Sequence, residues 1–260
     1  KERHSVEDLV RYQSDVRAMQ HDLLAPMLDT LKSLPPRADT LRRMLVAWNG
    51  DTDVDRPEPT VLYFFVRALD AVTWDESVFR IREPAVTPHV VLLRDEPTSR
   101  WLDRPGTRET ERAADLLRLA LAQTADTLDA RYGWNPEAWR WGDHHGVVFR
   151  HLTQSDALGA LSRGPFEYPG FAETLSPARG LLTTHSASWR VVVDFSKTPV
   201  EAYGVYPGGQ SGDPFSRFYD LHLDRFLRFE PYTLYRPPAA ADIPVERVTH
   251  RLHLTPAERR

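Results

Sequence analysis

Apolar residues at Leu9, Val10, Val16, Met19, Leu23, Leu24, Met27, Leu28 and Leu31 recur at steps of three and four behind a capping box, Ser5-Val-Glu-Asp8. This pattern predicts one long amphipathic helix, kinked at Pro26. Pro35-Pro36 interrupts it, and Asp39 or Thr40 then caps a short helix that carries Leu41, Leu45 and Trp48 and stops at Asn49-Gly50. Another helix starts near Pro57, with Val61, Leu62, Phe65 and Leu69 on its apolar side. Between Arg82 and Gly106 repeated prolines and the lack of a sustained period predict an irregular connection with at most one short helix. A cleaner helix follows, starting near Thr107 or Thr110, with Ala113, Leu116, Leu117, Ala120, Leu121 and Leu128 on one face and Tyr132-Gly133 as its stop. Residues 1–132 therefore read as a mainly helical portion.

After Gly133 the period shortens. Trp134, Trp139 and Trp141 come in quick succession, and the strand-like run WGDHHGVVFRH ends at His151. Leu152 to Leu182 is rich in glycine and proline and predicts a long loop, in which Phe166, Tyr168 and Phe171 either line an entrance or pack on the surface. From Ser188 the alternation is strict: Trp189, Val191, Val193 and Phe195 form an apolar face, while Ser188, Arg190, Val192 and Asp194 form the other. That predicts a strand with helices behind its apolar face and a reactive surface before its ionic one. Val200 to Tyr206 pairs with it as a hairpin, Pro207-Gly-Gly-Gln-Ser-Gly212 turns the chain, and Asp213-Pro214 starts a helix that includes Phe218, Leu221, Leu223 and Phe226. Residues 133–260 thus read as an antiparallel sheet portion with a C-terminal helix, and the fold class as α+β.

Composition narrows the function. A length of 260 residues with 41% apolar content suffices for a sizeable core. A net charge of −4 argues against a nucleic-acid partner, and no block of like charge marks a membrane-surface patch. The longest apolar runs fall far short of the ~20 residues of a spanning helix. With no cysteine, disulfides, thiol chemistry and cysteine-ligated zinc are excluded. The chain opens on Lys1 with no apolar signal segment behind it, and reads as a piece of something longer.

Three groups invite chemistry and fall short on their own spacing. Asp51, Asp53 and Asp55 alternate like a calcium loop, but Arg56 and Leu62 stand where an EF-hand needs Gly and Glu, so an acidic turn is expected. Asp143, His144, His145 and His151 suggest a metal, yet His145 and His151 would lie ~20 Å apart on one strand. Ser211 could be a hydrolase nucleophile with His222 and Asp220. Asp213 breaks the G-x-S-x-G elbow, and the other two sit two residues apart on a predicted helix.

Taken in order, WNGDTDVD, RYGWNPEAWRWGD, WGDHHGVVFRH, SWRVVVDF and PGGQSGDPFSRFYDLHLDRF resemble blocks of the penicillin acylase family of N-terminal-nucleophile amidohydrolases, from the C-terminal part of the large subunit. The resemblance implies a portion of a four-layer sandwich of helices, two sheets and helices, matured by autoproteolysis from an inactive precursor. It implies hydrolysis of an acyl-amide bond by a Ser at the start of the large subunit, whose own α-amine is the base, with preorganised donors on the oxyanion. Substrates across the family include β-lactam antibiotics, N-acyl homoserine lactones and acylated peptides, and its members are periplasmic or secreted.

Here residue 1 is Lys and the first serine is Ser5, so the nucleophile is expected upstream, together with any structural calcium ligands. The implied partners are the small subunit and the earlier part of the large subunit, and residues 1–260 alone are expected to be inactive. Asp194 matches the position at which some members hold an acid that orients a His behind the nucleophile. The competing role is a loop cap or an ion pair with an arginine other than Arg190, which is ~13 Å away along the strand. The alternative function is a non-catalytic assembly or binding module derived from an acylase.

Overall fold

The computed structural model describes residues 3–74, 86–104, 106–237, 239, 242–248 and 252–254. Its first helix, α1 (Val6–Gln13), has the reciprocal cap expected: Ser5 Oγ accepts the Asp8 N–H at 3.1 Å and Asp8 accepts the Ser5 N–H at 3.0 Å. The helix nevertheless stops, and the chain re-enters a helix only at α2 (Met19–Asp29). In the gap Ala18 N–H donates to Gly50 at 2.8 Å and Thr52 Oγ1 donates to Val16 at 2.6 Å. A distant turn thus takes the backbone groups that a continuous helix would have used. Pro26 lies inside α2 without ending it.

Next comes α3 (Pro36–Ala47), which begins at its proline rather than at Asp39 or Thr40, because proline fits the first helical position, where an N–H has no partner anyway. Then follow α4 (Glu58–Thr73), α5 (Val86–Asp95) and α6 (Ala113–Tyr132). Of the expected irregular stretch from Arg82 to Gly106, residues 82–85 and 105 lie outside the described residues; the rest holds α5 and one 3-10 turn at Arg100–Leu102. Thr107 and Thr110 precede α6, whose first turn is closed by Asp115 on the Arg112 N–H, and Gly133 at φ 76° ends it.

Helices α4 and α6 form the centre of the main core. Val61, Leu62, Phe65 and Leu69 from one helix meet Leu116, Leu117, Ala120, Leu121 and Leu128 from the other, all buried. Each large side chain so placed contributes roughly 1.5–3 kcal/mol. Trp139 and Trp141 belong to this core, fully buried, and Trp139 Nε1 donates to the Gly133 carbonyl at 3.0 Å.

The predicted strand run at Trp141 divides. Trp141–His144 is a single turn, α7, and only β1 (Gly146–Phe149) is extended. Its neighbours are β2 (Arg163–Glu167), antiparallel, and β3 (Leu182–Thr183), parallel. The stretch expected to be structureless therefore contributes β2 and a 3-10 segment at Asp156–Leu161. Tyr168 and Phe171 are buried in cores, which corrects their expected place on an entrance rim or the surface.

The second sheet has the order β4 (Arg190–Asp194), β5 (Glu201–Val205), β6 (Tyr232–Thr233), all antiparallel, with Val192 opposite Tyr203. Its first two strands are the expected hairpin. The helix expected from Asp213 is instead a run of turns, and only α8 (Leu223–Leu227) is helical.

Candidate functional site

Asp194 ends β4 where the hairpin turns. Its Oδ1 accepts both the Ser196 N–H at 2.9 Å and the Ser196 hydroxyl at 2.6 Å. These two bonds, the hydroxyl first, hold the carboxyl below its ordinary pKa. Oδ2 accepts no hydrogen bond among the described residues. Arg190 is no partner of Asp194. The carboxylate borders a groove of about 1220 Å³ between β4 and α1, lined by Ser5, Leu9, Val192, Val193 and Tyr203 among others. Tyr203 donates to Glu201 at 2.6 Å within the same surface.

The alternative constellation is dispersed. Ser211 Oγ accepts the Asp213 N–H, and the Asp220 carboxylate is held by Arg163 at 2.7 Å. His222 stacks on Tyr232 with centroids 4.6 Å apart and meets Tyr206 edge-on; partial burial lowers its pKa, with Arg225 adding to the effect. No Ser-His-acid relay connects these three. The Gly-rich turn is a stitched loop: Gln210 and Ser211 N–H both reach the Phe218 carbonyl, and His222 N–H reaches Gly208. At Gly209 an added Cβ would lie 1.9 Å from that carbonyl oxygen, so only glycine permits this approach. Beside the turn, a cleft of about 800 Å³ carries Arg150, His185 and Ser211.

The histidines expected in a core or cleft part company. His144 stacks on Tyr132 and meets the Ala138 carbonyl, His145 lies flat on Trp141 with Nδ1 donating to Gly180 at 2.8 Å, and His151 meets Thr153. Burial pushes His145 down to about 4. The acidic turn is equally committed. Asp53 accepts the Asp55 N–H, and Asp55, Asp143 and Glu167 all accept from Arg140 at 2.7–2.9 Å. Among the described residues no three His, Asp or Glu side chains gather as a metal shell. Gly50, at φ 84°, lies against His21, whose Nε2 meets the Leu45 carbonyl. The WNGD turn is thereby fixed on α2.

Sequence reasoning missed Arg190. It is 6% exposed, donates to Tyr168 and Ser176, and lies 4.5 Å from the centroids of both Phe226 and Phe229. It anchors β4 to α8 through an aromatic box. The alternation had placed it on an open ionic face. The reverse holds, since Trp189 is 60% and Phe195 80% exposed.

Comparison with known proteins puts these elements in context. The profile of the family described as penicillin amidase matches residues 1–242. An acyl-homoserine lactone acylase, QuiP, of Pseudomonas fluorescens is 28% identical over 152 residues, which are 56% of this chain and 18% of that protein. Among solved structures, the thermostable penicillin G acylase from Alcaligenes faecalis superposes with a TM-score of 0.61 at 16% identity, over 100% of this chain and 51% of that one. The chain thus has the fold of a portion of an N-terminal-nucleophile hydrolase, and spans about half or less of the length of these relatives.

Proposed function

The chain belongs to the penicillin amidase family, and from this premise we propose that it is the later part of the large subunit of an acylase that cleaves acyl-amide bonds. The observation that carries this reading is the match of nearly the whole chain to the family, set against about half of the solved chain it superposes on. A Ser from an upstream segment supplies the nucleophile, its α-amine the base, and the small subunit and earlier large-subunit residues complete the enzyme. The substrate is a small acyl amide; the QuiP relative favours an N-acyl homoserine lactone over a β-lactam. The reading includes maturation by self-cleavage and a periplasmic or secreted location, which membership of the family supports. Among the described residues no helix is long and apolar enough to cross a membrane. In this reading any structural calcium has its ligands upstream of residue 1, as the family resemblance implies.

Within this enzyme Asp194 orients an imidazole that lies behind the nucleophile. Ser196 keeps the carboxylate ionised through Oδ1, and Oδ2 is the atom that accepts the ring N–H. Holding one tautomer keeps the ring's other nitrogen toward the reacting hydroxyl. Asp194→Asn retains an oxygen for the Ser196 turn, so maturation is expected to proceed while kcat falls about tenfold or more and the acid limb of its pH profile moves. Unchanged kcat and pH profile in the matured variant remove this role. Intact mass and N-terminal sequencing of the native protein test the wider reading. The expected result is a co-purifying piece that begins with Ser, whereas native protein consisting of residues 1–260 alone overturns it and leaves a binding module.

A further inference from the structure

The cleft of about 800 Å³ beside the Gly-rich turn takes no part in the function proposed above. Its place follows from the register of the hairpin. Arg190 is opposite Val205 and Asp194 opposite Glu201, so the chain that leaves β5 for Pro207 departs from the Arg190 end. Asp194 stands four residues along β4, about 13 Å away. The walls come from both sheets: Phe149 ends β1 and Arg150 follows it, Arg163 belongs to β2, and the turn from Gly208 to Gly212 lies beyond β5.

Of the charged side chains in this cleft, Arg163 and Asp220 cancel. Arg163 Nε donates to the Asp220 carboxylate at 2.7 Å, its other nitrogens reach the Leu161, Ser162 and Pro214 carbonyls, and its guanidinium lies 4.8 Å from the Tyr219 ring centroid. Arg150 is left over. Among the described residues its guanidinium has no hydrogen bond, ion pair or aromatic face. An arginine on a convex surface is a solvated charge, whereas low-dielectric walls focus the field of one that lines a cleft. Two donors are also unspent. Ser211 Oγ accepts the Asp213 N–H but gives its own proton to no described group, and the Gln210 amide has a second N–H beside the one on Tyr206. Phe149, Leu152, Tyr219 and Leu223 supply apolar surface, with Leu152 81% exposed at the rim.

The volume falls within the roughly 300–1,000 Å³ of small-molecule pockets. One unpaired cation among apolar side chains suits a ligand with a single negative charge and an apolar tail; a phosphate would call for more cations. We propose that this cleft binds a small carboxylic acid, its carboxylate on Arg150 and its aliphatic or aromatic tail on Phe149, Leu152 and Tyr219. The acid released from an acyl amide has this form, which makes the cleft a second site for the product, apart from Asp194. That source rests on the acylase reading above; the preference for an anionic amphiphile does not.

The probe is a hexanoic acid with a diazirine in its chain, photolysed with the native protein. Peptides that carry Leu152 or residues 207–223 are expected to be labelled. The neutral amide of the same chain is expected to label them about tenfold less, and so is the acid on Arg150→Gln, which loses one charge-assisted contact. Leu152→Glu places a like charge at an exposed position and is expected to reduce labelling by the acid as well. Absence of label from these peptides, equal labelling by acid and amide, or equal labelling of native and Arg150→Gln protein overturns the site. The acylase reading fails separately, when no piece starting with Ser accompanies this one.

Discussion

His145 faces the Gly180 carbonyl through Nδ1 while its ring lies on Trp141, 4.2 Å between centroids, and burial moves its pKa from an ordinary 6.5 to about 4. The folded state therefore binds this proton less readily than the unfolded chain. Stability tied to the neutral ring is complete above pH 6.5 and is lost as pH falls toward 4, at about 1.4 kcal/mol per unit and roughly 3 kcal/mol in all. In His145→Phe, which keeps the stack, the fall in unfolding free energy between pH 7 and 4 is expected to be smaller by about that amount. Urea denaturation at both pH values measures it, and equal falls in the two proteins would contradict the assignment. Arg190 is a contrasting residue, because arginine cannot escape burial by losing its proton and is held by two aromatic faces and two hydroxyls instead.

At the scale of elements, the turn from Pro207 to His222 depends on one glycine more than on its neighbours. Gly209 meets backbone at the Phe218 carbonyl and the Leu221 nitrogen, whereas at Gly212 an added Cβ would meet only Leu152 at 3.9 Å. Gly209→Ala is expected to cost about 3 kcal/mol or more and Gly212→Ala less than about 1 kcal/mol, read from urea midpoints. Similar costs at both positions would refute this account. What the sequence revealed of such elements follows the range of the forces involved. The Ser5–Asp8 cap, the glycine stop of α6 and the β4–β5 hairpin were legible, since each is decided within a few residues. The break before α2 was not, because its backbone is claimed by Gly50 and Thr52. Nor was the buried face of β4, which depends on Phe226 and Phe229 arriving from α8 and beyond it. Asp194 was legible as a strand-end acid; its Ser196 turn was in reach of the sequence, as Asp two residues before Ser is a common turn pairing.

Over the whole molecule, one guanidinium links regions far apart in sequence. Arg140 holds Asp55 ahead of α4, Asp143 on α7 and Glu167 at the end of β2, and these carboxylates raise its pKa, Glu167 most. Arg140→Ala is expected to lower the urea midpoint and to separate the transitions followed by tryptophan fluorescence and by far-UV circular dichroism. Arg140→Lys, a point charge without the planar fork, is expected to resemble it. Coincident transitions in Arg140→Ala would show that the link is dispensable. The anchoring of β4 has a different consequence, in conformational entropy. Arg190 fixes one end of the strand and the Asp194–Ser196 turn the other, so its five residues are ordered before any neighbour joins them. Ordering a strand residue costs about 1–2 kcal/mol. For five residues that is on the order of 5–10 kcal/mol, an entropy cost that the Arg190 and Ser196 contacts hold fixed at the two ends of the strand.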